Sequence, residues 1–203
     1  MFSFLLGKLA ALGMLALGAL SELTDKELVS LAQKQDADGK RAFEILVKRH
    51  QPWLGRLLGN LVNNKSDVEE VLQNTFVRAF FALPKFRGDA SFKTWLRVIA
   101  SREAFNHYRR YGNKPEYSSE TIEETTPDDR DSDQERFGQR DALVKALAKV
   151  PYPYREILVL RYVEELSLEE IGESLELGKS ATKMRLKRAR EFFKDAYDKN
   201  VSV

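Results

Sequence analysis

Residues 167–197 read SLEEIGESLELGKSATKMRLKRAREFFKDAY, and this stretch sets the fold class. Ser167, with Glu170 three residues on, is a capping box that opens a helix through LEEIGESLE. Leu177 and Gly178 make a turn, and Ser180 caps a second helix. Leu168, Ile171, Leu175 and Leu177 face inward from the first helix, and Thr182, Leu186, Ala189 and Phe193 from the second. Two helices joined by a tight turn bearing glycine are a helix-turn-helix.

Charge sorts across that turn. Glu164, Glu165, Glu169, Glu170, Glu173 and Glu176 precede it; Lys179, Lys183, Arg185, Lys187, Arg188 and Arg190 follow, with no acid until Glu191. A solvated helix normally mixes signs. An all-basic helix entered from a helix-turn-helix has the footprint of one that lies in a DNA major groove. Its first turns face base edges, which makes Ser180, Ala181, Lys183, Met184, Arg185 and Arg188 candidate readers. Arginine can hold guanine with two bonds, whereas Lys179 and Lys187 suit phosphate. The plainer alternative, a basic surface helix, leaves the turn and the charge sorting unexplained.

Upstream, Asp141 to Lys149 and Tyr154 to Val163 read as two more helices, the first closed by Pro151-Tyr152-Pro153. Asn113 to Gly138 is different. It is acidic, rich in Ser and Thr, and has little with which to build a core, so it reads as a flexible linker. Before it, Phe86 to Tyr111 packs Phe86, Phe92, Trp95, Phe105, His107, Tyr108 and Tyr111 among six cations, with Lys85 just ahead. Cations hold a phosphate backbone, and flat rings stack on unpaired bases. Ser91 caps a helix here, and Phe92, Trp95 and Leu96 also fit a buried stripe, so Trp95 is divided between core and site.

Ser66 to Leu83 is a helix with Ser66 and Glu69 as its capping box, ended by Pro84. Its outer face carries Glu70, Gln73, Asn74, Val77, Arg78 and Phe81; two large apolar side chains on a polar face suggest a contact surface. Lys40 to Asn63 is a long amphipathic segment that Pro52 kinks or divides, after a polar turn at Gln35 to Gly39. Asp25 to Gln33 is a short helix capped by Thr24 with Glu27. The leader MFSFLLGKLAALGMLALGAL at 1–20 is unlike anything downstream. Its uncharged run, Leu9 to Leu20, falls short of the roughly 20 residues that span a bilayer. Leu5, Leu9, Leu12, Ala16 and Leu20 share a face that suits weak membrane or partner contact; a dispensable leader or an early start codon is the plainer account.

The 203 residues carry a net charge of only +2, but it is segregated. There is no cysteine, which removes disulfides, zinc ribbons and thiol nucleophiles and fits a cytoplasmic location. With two histidines, His50 and His107, a histidine metal site is not expected, and no motif calls for a cofactor. The expected fold is all-α: two small helical domains joined by a flexible acidic linker. The boundaries read as leader 1–23, first domain 24–112, linker 113–138 and second domain 139–198.

The order of parts resembles a bacterial sigma factor of the sigma-70 family, of the extracytoplasmic-function (ECF) type with only the second and fourth sigma regions. The resemblance runs over residues 24–198 and is carried by DKELVSLAQ, RAFEILVKRHQPWL, DVEEVLQNTFVRAFFALPKFRG, SFKTWLRVIASREAFNHYRR and YREILVLRYVEELSLEEIGESLELGKSATKMRLKRARE. It implies that Asp67, Glu70, Gln73, Asn74, Val77, Arg78 and Phe81 dock on the coiled coil of the largest subunit of core RNA polymerase. It implies that the loop with Phe86, Arg87, Asp89, Ser91 and Phe92 captures a flipped base of the −10 element. Lys93, Trp95, Arg97, Arg102, Asn106, Arg109 and Arg110 then hold the opened strand, and the helix from Ser180 reads the −35 element. Promoter DNA and an anti-sigma factor are the further partners implied, and the chain itself is not an enzyme. One departure is Ala181, which lacks the hydroxyl that members of the family use near phosphate.

Two other classes compete with this reading. A helix-turn-helix regulator with a helical sensor domain would leave residues 86–111 as core. An enzyme would need a phosphate loop, metal cluster or nucleophile-base pair, and the sequence has none of these signals.

Overall fold

The structure, a computed structural model, describes residues 20–62, 64–112 and 142–201. The leader to residue 19 and the acidic segment, expected at 113–138, lie outside the described residues. Every regular element among the described residues is helical.

In the first unit, α1 is Asp25–Ala32, opened by the reciprocal Thr24–Glu27 box read from the sequence. Next, α2 is Ala37–Leu61, starting earlier than Lys40 because Asp36 accepts the Gly39 N–H at 2.7 Å and supplies a cap. Pro52 neither ends nor divides it. An interior proline costs about 3 kcal/mol, but Leu54, Leu57 and Leu58 are fully buried just beyond it. At about 1.5–3 kcal/mol each, their burial outweighs the break.

Helix α3 is Lys65–Ala82, and its cap is Asn64 rather than Ser66. Asn64 Oδ1 accepts the Asp67 N–H at 2.8 Å, and the Ser66 hydroxyl donates to the same oxygen. Asparagine outranks or equals serine as a cap, and here it stands one position before the helix. A 3₁₀ turn, Leu83–Lys85, leads to the loop at Gly88, whose φ of 78° suits glycine. Ser91 caps α4, Phe92–Tyr111, accepting the Thr94 N–H at 3.1 Å. These helices bury Leu46, Leu57, Leu61, Val71, Phe76, Leu83 and Leu96 in one core.

The second unit holds α5 at 142–149, α6 at Tyr152–Tyr162, α7 at Leu168–Ser174 and α8 at Lys179–Val201. Pro151 opens α6 instead of closing α5, since a fixed φ and a missing N–H are tolerated at a helix start. The Ser167–Glu170 box is present. Helix α7 stops sooner than LEEIGESLE suggested. Glu176 takes the left-handed conformation at φ 55°, and the Leu177 N–H returns to the Gly172 carbonyl at 2.8 Å. Gly178 is not the left-handed residue. Its carbonyl accepts the Thr182 N–H, so α8 begins at Lys179 and Ser180 lies inside it rather than capping it. Gly172 is the glycine the turn needs: a Cβ there would meet the Leu177 carbonyl at 3.0 Å and Thr182 Oγ1 at 3.2 Å. Ile157, Leu160, Leu166, Ile171, Leu186 and Ala189 form the second core.

The two units pack on one another, α6 against α2 and α4, and α7 against α4. Tyr152 and Val159 of α6 belong to the core of the first unit, not the second. The Tyr152 ring stacks on Tyr108 at 5.4 Å, and its hydroxyl donates to the Ser101 carbonyl at 3.2 Å. Buried Arg155 donates to Leu61 O across the junction, and to Ala148 O and Val150 O on its own side. The sequence carried no sign of this junction.

Candidate nucleic-acid interface

Three surfaces follow from these helices. On α3 the inward positions are Val71, Thr75, Phe76 and Ala79, all buried. Helical spacing then leaves Glu70, Gln73 and Asn74 exposed beside Val77 at 54% and Phe81 at 73% exposure. Two apolar side chains this open, side by side on a polar helix face, mark a contact surface. Arg78 is exposed yet held by Glu103 of α4 at 2.7 Å, and half-buried Asp67 pairs with Asn64 and faces His107.

The second surface is the loop with α4. Arg87, Asp89, Ser91 and Lys93 are exposed, with Arg87 bridged to Asp89 at 3.1 Å. Phe92 is buried, in the stripe with Leu96 and Ala100. Trp95 is half-buried between Phe86 at 4.8 Å and Phe92 at 5.7 Å, so it backs the loop from below. Arg102, Asn106, Arg109 and Arg110 are exposed along the outer side, Arg102 being paired with Glu176 in the turn after α7. Arg97 is buried and aimed at the second unit.

The third surface is α8. Thr182, Leu186 and Ala189 are buried, which turns Lys179, Ser180, Ala181, Lys183, Met184, Lys187 and Arg188 outward and leaves Arg185 half-buried. Met184, 57% exposed among cations, gives this basic face an apolar contact point. The Thr182 hydroxyl that α8 offers near its start is already spent on the Gly178 carbonyl at 3.1 Å.

Sequence reasoning missed Trp53 and Glu164. The Trp53 Nε1–H donates to the Glu164 carboxylate at 3.0 and 3.1 Å, and the same carboxylate takes Arg97 at 3.0 Å. Lys93 Nζ lies over the Trp53 ring at 4.6 Å, and the Arg97 guanidinium at 5.5 Å. Periodicity puts Trp53 in a core stripe and Glu164 is one acid in a run, so no local signal joins them. Among the described residues no group of His, Cys, Asp and Glu could hold a metal, and no helix is long and apolar enough to cross a membrane.

Residues 46–114 match the model of Sigma-70 region 2, and residues 140–193 that of Sigma-70, region 4. The chain is 32% identical to the RNA polymerase sigma-H factor of Pseudomonas aeruginosa, over 85% of this chain and 93% of that protein. It is 30% identical to the ECF RNA polymerase sigma-E factor of Haemophilus influenzae, over 86% and 95% respectively. Among solved structures it resembles CnrH in complex with the cytosolic domain of CnrY, with a TM-score of 0.60 and 26% identity, covering 86% of this chain and 97% of that one.

Proposed function

The chain belongs to the sigma-70 family of RNA polymerase sigma factors, in its ECF group, and we propose how its surfaces divide the work of that family. As a sigma factor it binds core RNA polymerase, recognises the −10 and −35 promoter elements and promotes strand opening; its site of action is the cytoplasm, with the polymerase. The polymerase does the chemistry.

The outer face of α3, with Gln73, Asn74, Val77 and Phe81, docks on core polymerase. The loop at Arg87–Asp89 takes an unstacked base of the −10 element, with Phe86 and Trp95 as its floor. Arg102, Asn106, Arg109 and Arg110 track the strand, and α8 enters the major groove at −35 through Lys183, Met184 and Arg188. The linker joins domain 24–112 to domain 139–198. Unstacking a base costs a few kcal/mol, and stacking on a ring returns about 1–3 kcal/mol per base, so capture offsets opening. Phe92 supports the loop from the core and does not touch DNA. An anti-sigma factor is a further partner; CnrH, a structural relative, was solved in complex with the cytosolic domain of CnrY.

The observation that carries this reading is the exposed Val77–Phe81 pair on α3, far along the chain from the helix-turn-helix. A DNA-binding regulator without polymerase has no use for it. The test is transcription from promoter fragments with purified core polymerase. Transcripts from specific starts are expected, and tight duplex binding with no polymerase contact would overturn the reading.

A further inference from the structure

We propose that Trp53, Lys93 and Arg97 form a phosphate site for the opened promoter strand, and that Glu164 occupies it in the closed protein as an internal substitute for that phosphate. This rests on the sigma-factor reading above.

The donors come from two helices of the first unit. Trp53 stands on α2, Lys93 and Arg97 on the first turns of α4, and the indole N–H and guanidinium converge on one carboxylate. Glu164 comes from the other unit, just past the end of α6. The next residue, Glu165, turns the chain with φ at 56°, a conformation that costs a non-glycine residue about 1–2 kcal/mol. The carboxylate is therefore delivered from outside, by a strained turn, into a site the first unit builds alone.

A plain structural ion pair would match its charges. Here the one carboxylate pairs with Arg97 alone, and Lys93, which lies over the Trp53 ring, has no carboxylate partner among the described residues. Arg97 is 7% exposed, yet its Nε has no hydrogen-bond partner. A buried guanidinium keeps such a donor unpaired only at a cost, unless another ligand uses it. Phosphodiester groups suit the remainder. They offer two anionic oxygens in the fork geometry that arginine takes up, and successive phosphates can meet Arg97 and Lys93 together. The site also adjoins the −10 loop, because Trp95, which floors that loop, is two residues from both cations.

The experiment uses the full chain without polymerase and a fluorescent single-stranded oligonucleotide. Glu164→Gln keeps the side-chain volume and removes the charge. Its affinity should exceed that of the unmodified chain by tenfold or more at one salt concentration. Adding Lys93→Ala to Glu164→Gln should lower affinity and flatten log affinity against log salt by about 0.7, the share of one phosphate on a single strand. Adding Trp53→Phe keeps the ring, removes the donor and should weaken binding several-fold. An unchanged affinity in Glu164→Gln with the units shown apart overturns the proposal, as does a slope that Lys93→Ala leaves untouched. If Glu164→Gln leaves the units together, Tyr152→Ala separates them by another route, and the same Lys93-dependent rise is then required. Specific transcription by the unmodified chain with no such rise overturns the phosphate site alone; absent transcription overturns the sigma reading.

Discussion

Replacing Tyr152 with alanine should part the two units while leaving each folded. The reason is where the ring lies. Tyr152 is 1% exposed and packs in the core of the first unit, although the chain places it at the start of α6 in the second. Cutting a buried aromatic to alanine costs about 3–5 kcal/mol, and the hydroxyl bond to the Ser101 carbonyl adds about 1 kcal/mol. Partial collapse of the vacated space returns some of this, so about 4 kcal/mol is expected. That shifts the closed-to-open ratio by about a thousandfold, at 1.4 kcal/mol per tenfold. Because the chain has no cysteine, Glu69→Cys and Lys187→Cys, at exposed positions of α3 and α8, give a clean pair of label sites. The unmodified background should give one short, narrow distance distribution, and Tyr152→Ala a long, broad one at the same helical content. An unchanged distribution would refute the argument. So would a loss of helix, which would mean that Tyr152 holds its own unit together.

Glu156 sets a pH dependence. Burial pushes its carboxyl from 4.5 up to about 7, with the Ser101 and Tyr152 hydroxyls and Arg185 pulling the other way. Opening restores the ordinary value, so the closed form is most stable below about pH 4.5 and weakens as pH rises to 7. The loss is on the order of 3 kcal/mol, and Glu156→Gln should flatten the pH profile of the label distance. Asn64→Ala should lower stability to urea by about 1 kcal/mol, while Ser66→Ala should change it by under about 0.5 kcal/mol. Val77→Glu and Phe81→Glu should leave the melting temperature within a degree or two, since surface changes cost under about 0.5 kcal/mol, yet weaken capture by core polymerase tenfold or more in competition binding.

Local signals were legible wherever a single helix decides its own ends and faces. Thr24 with Glu27, Ser167 with Glu170, and Ser91 all capped as the residue pattern implied. Errors arose where two local signals compete. Asn64 and Ser66 are both good caps, and Pro52 lost to the leucines beyond it. The turn before α8 misled because its visible glycine, Gly178, is not the one under constraint; Gly172, inside α7, is constrained by a neighbour ten residues on, Thr182. The exposed face of α3 was legible because periodicity alone fixes it. What could not be read was the junction. Trp53 and Glu164, or Ser101 and Tyr152, meet across separate units, and no periodicity within either unit encodes that pairing.

The position of Glu164 has a consequence for dosage. The contact it makes with Trp53 and Arg97 lies within one chain, so its strength does not depend on how much protein is present. If the closed form is favoured by about 2.8 kcal/mol, about one molecule in a hundred is open, and apparent affinity for any ligand of the open form falls by that same factor. Making more protein raises the open species only in proportion. A ligand that engages either unit acts differently: by thermodynamic reciprocity it raises the affinity of the other unit by whatever factor the closure had removed. Polymerase on α3 and DNA on α8 would then help each other without touching.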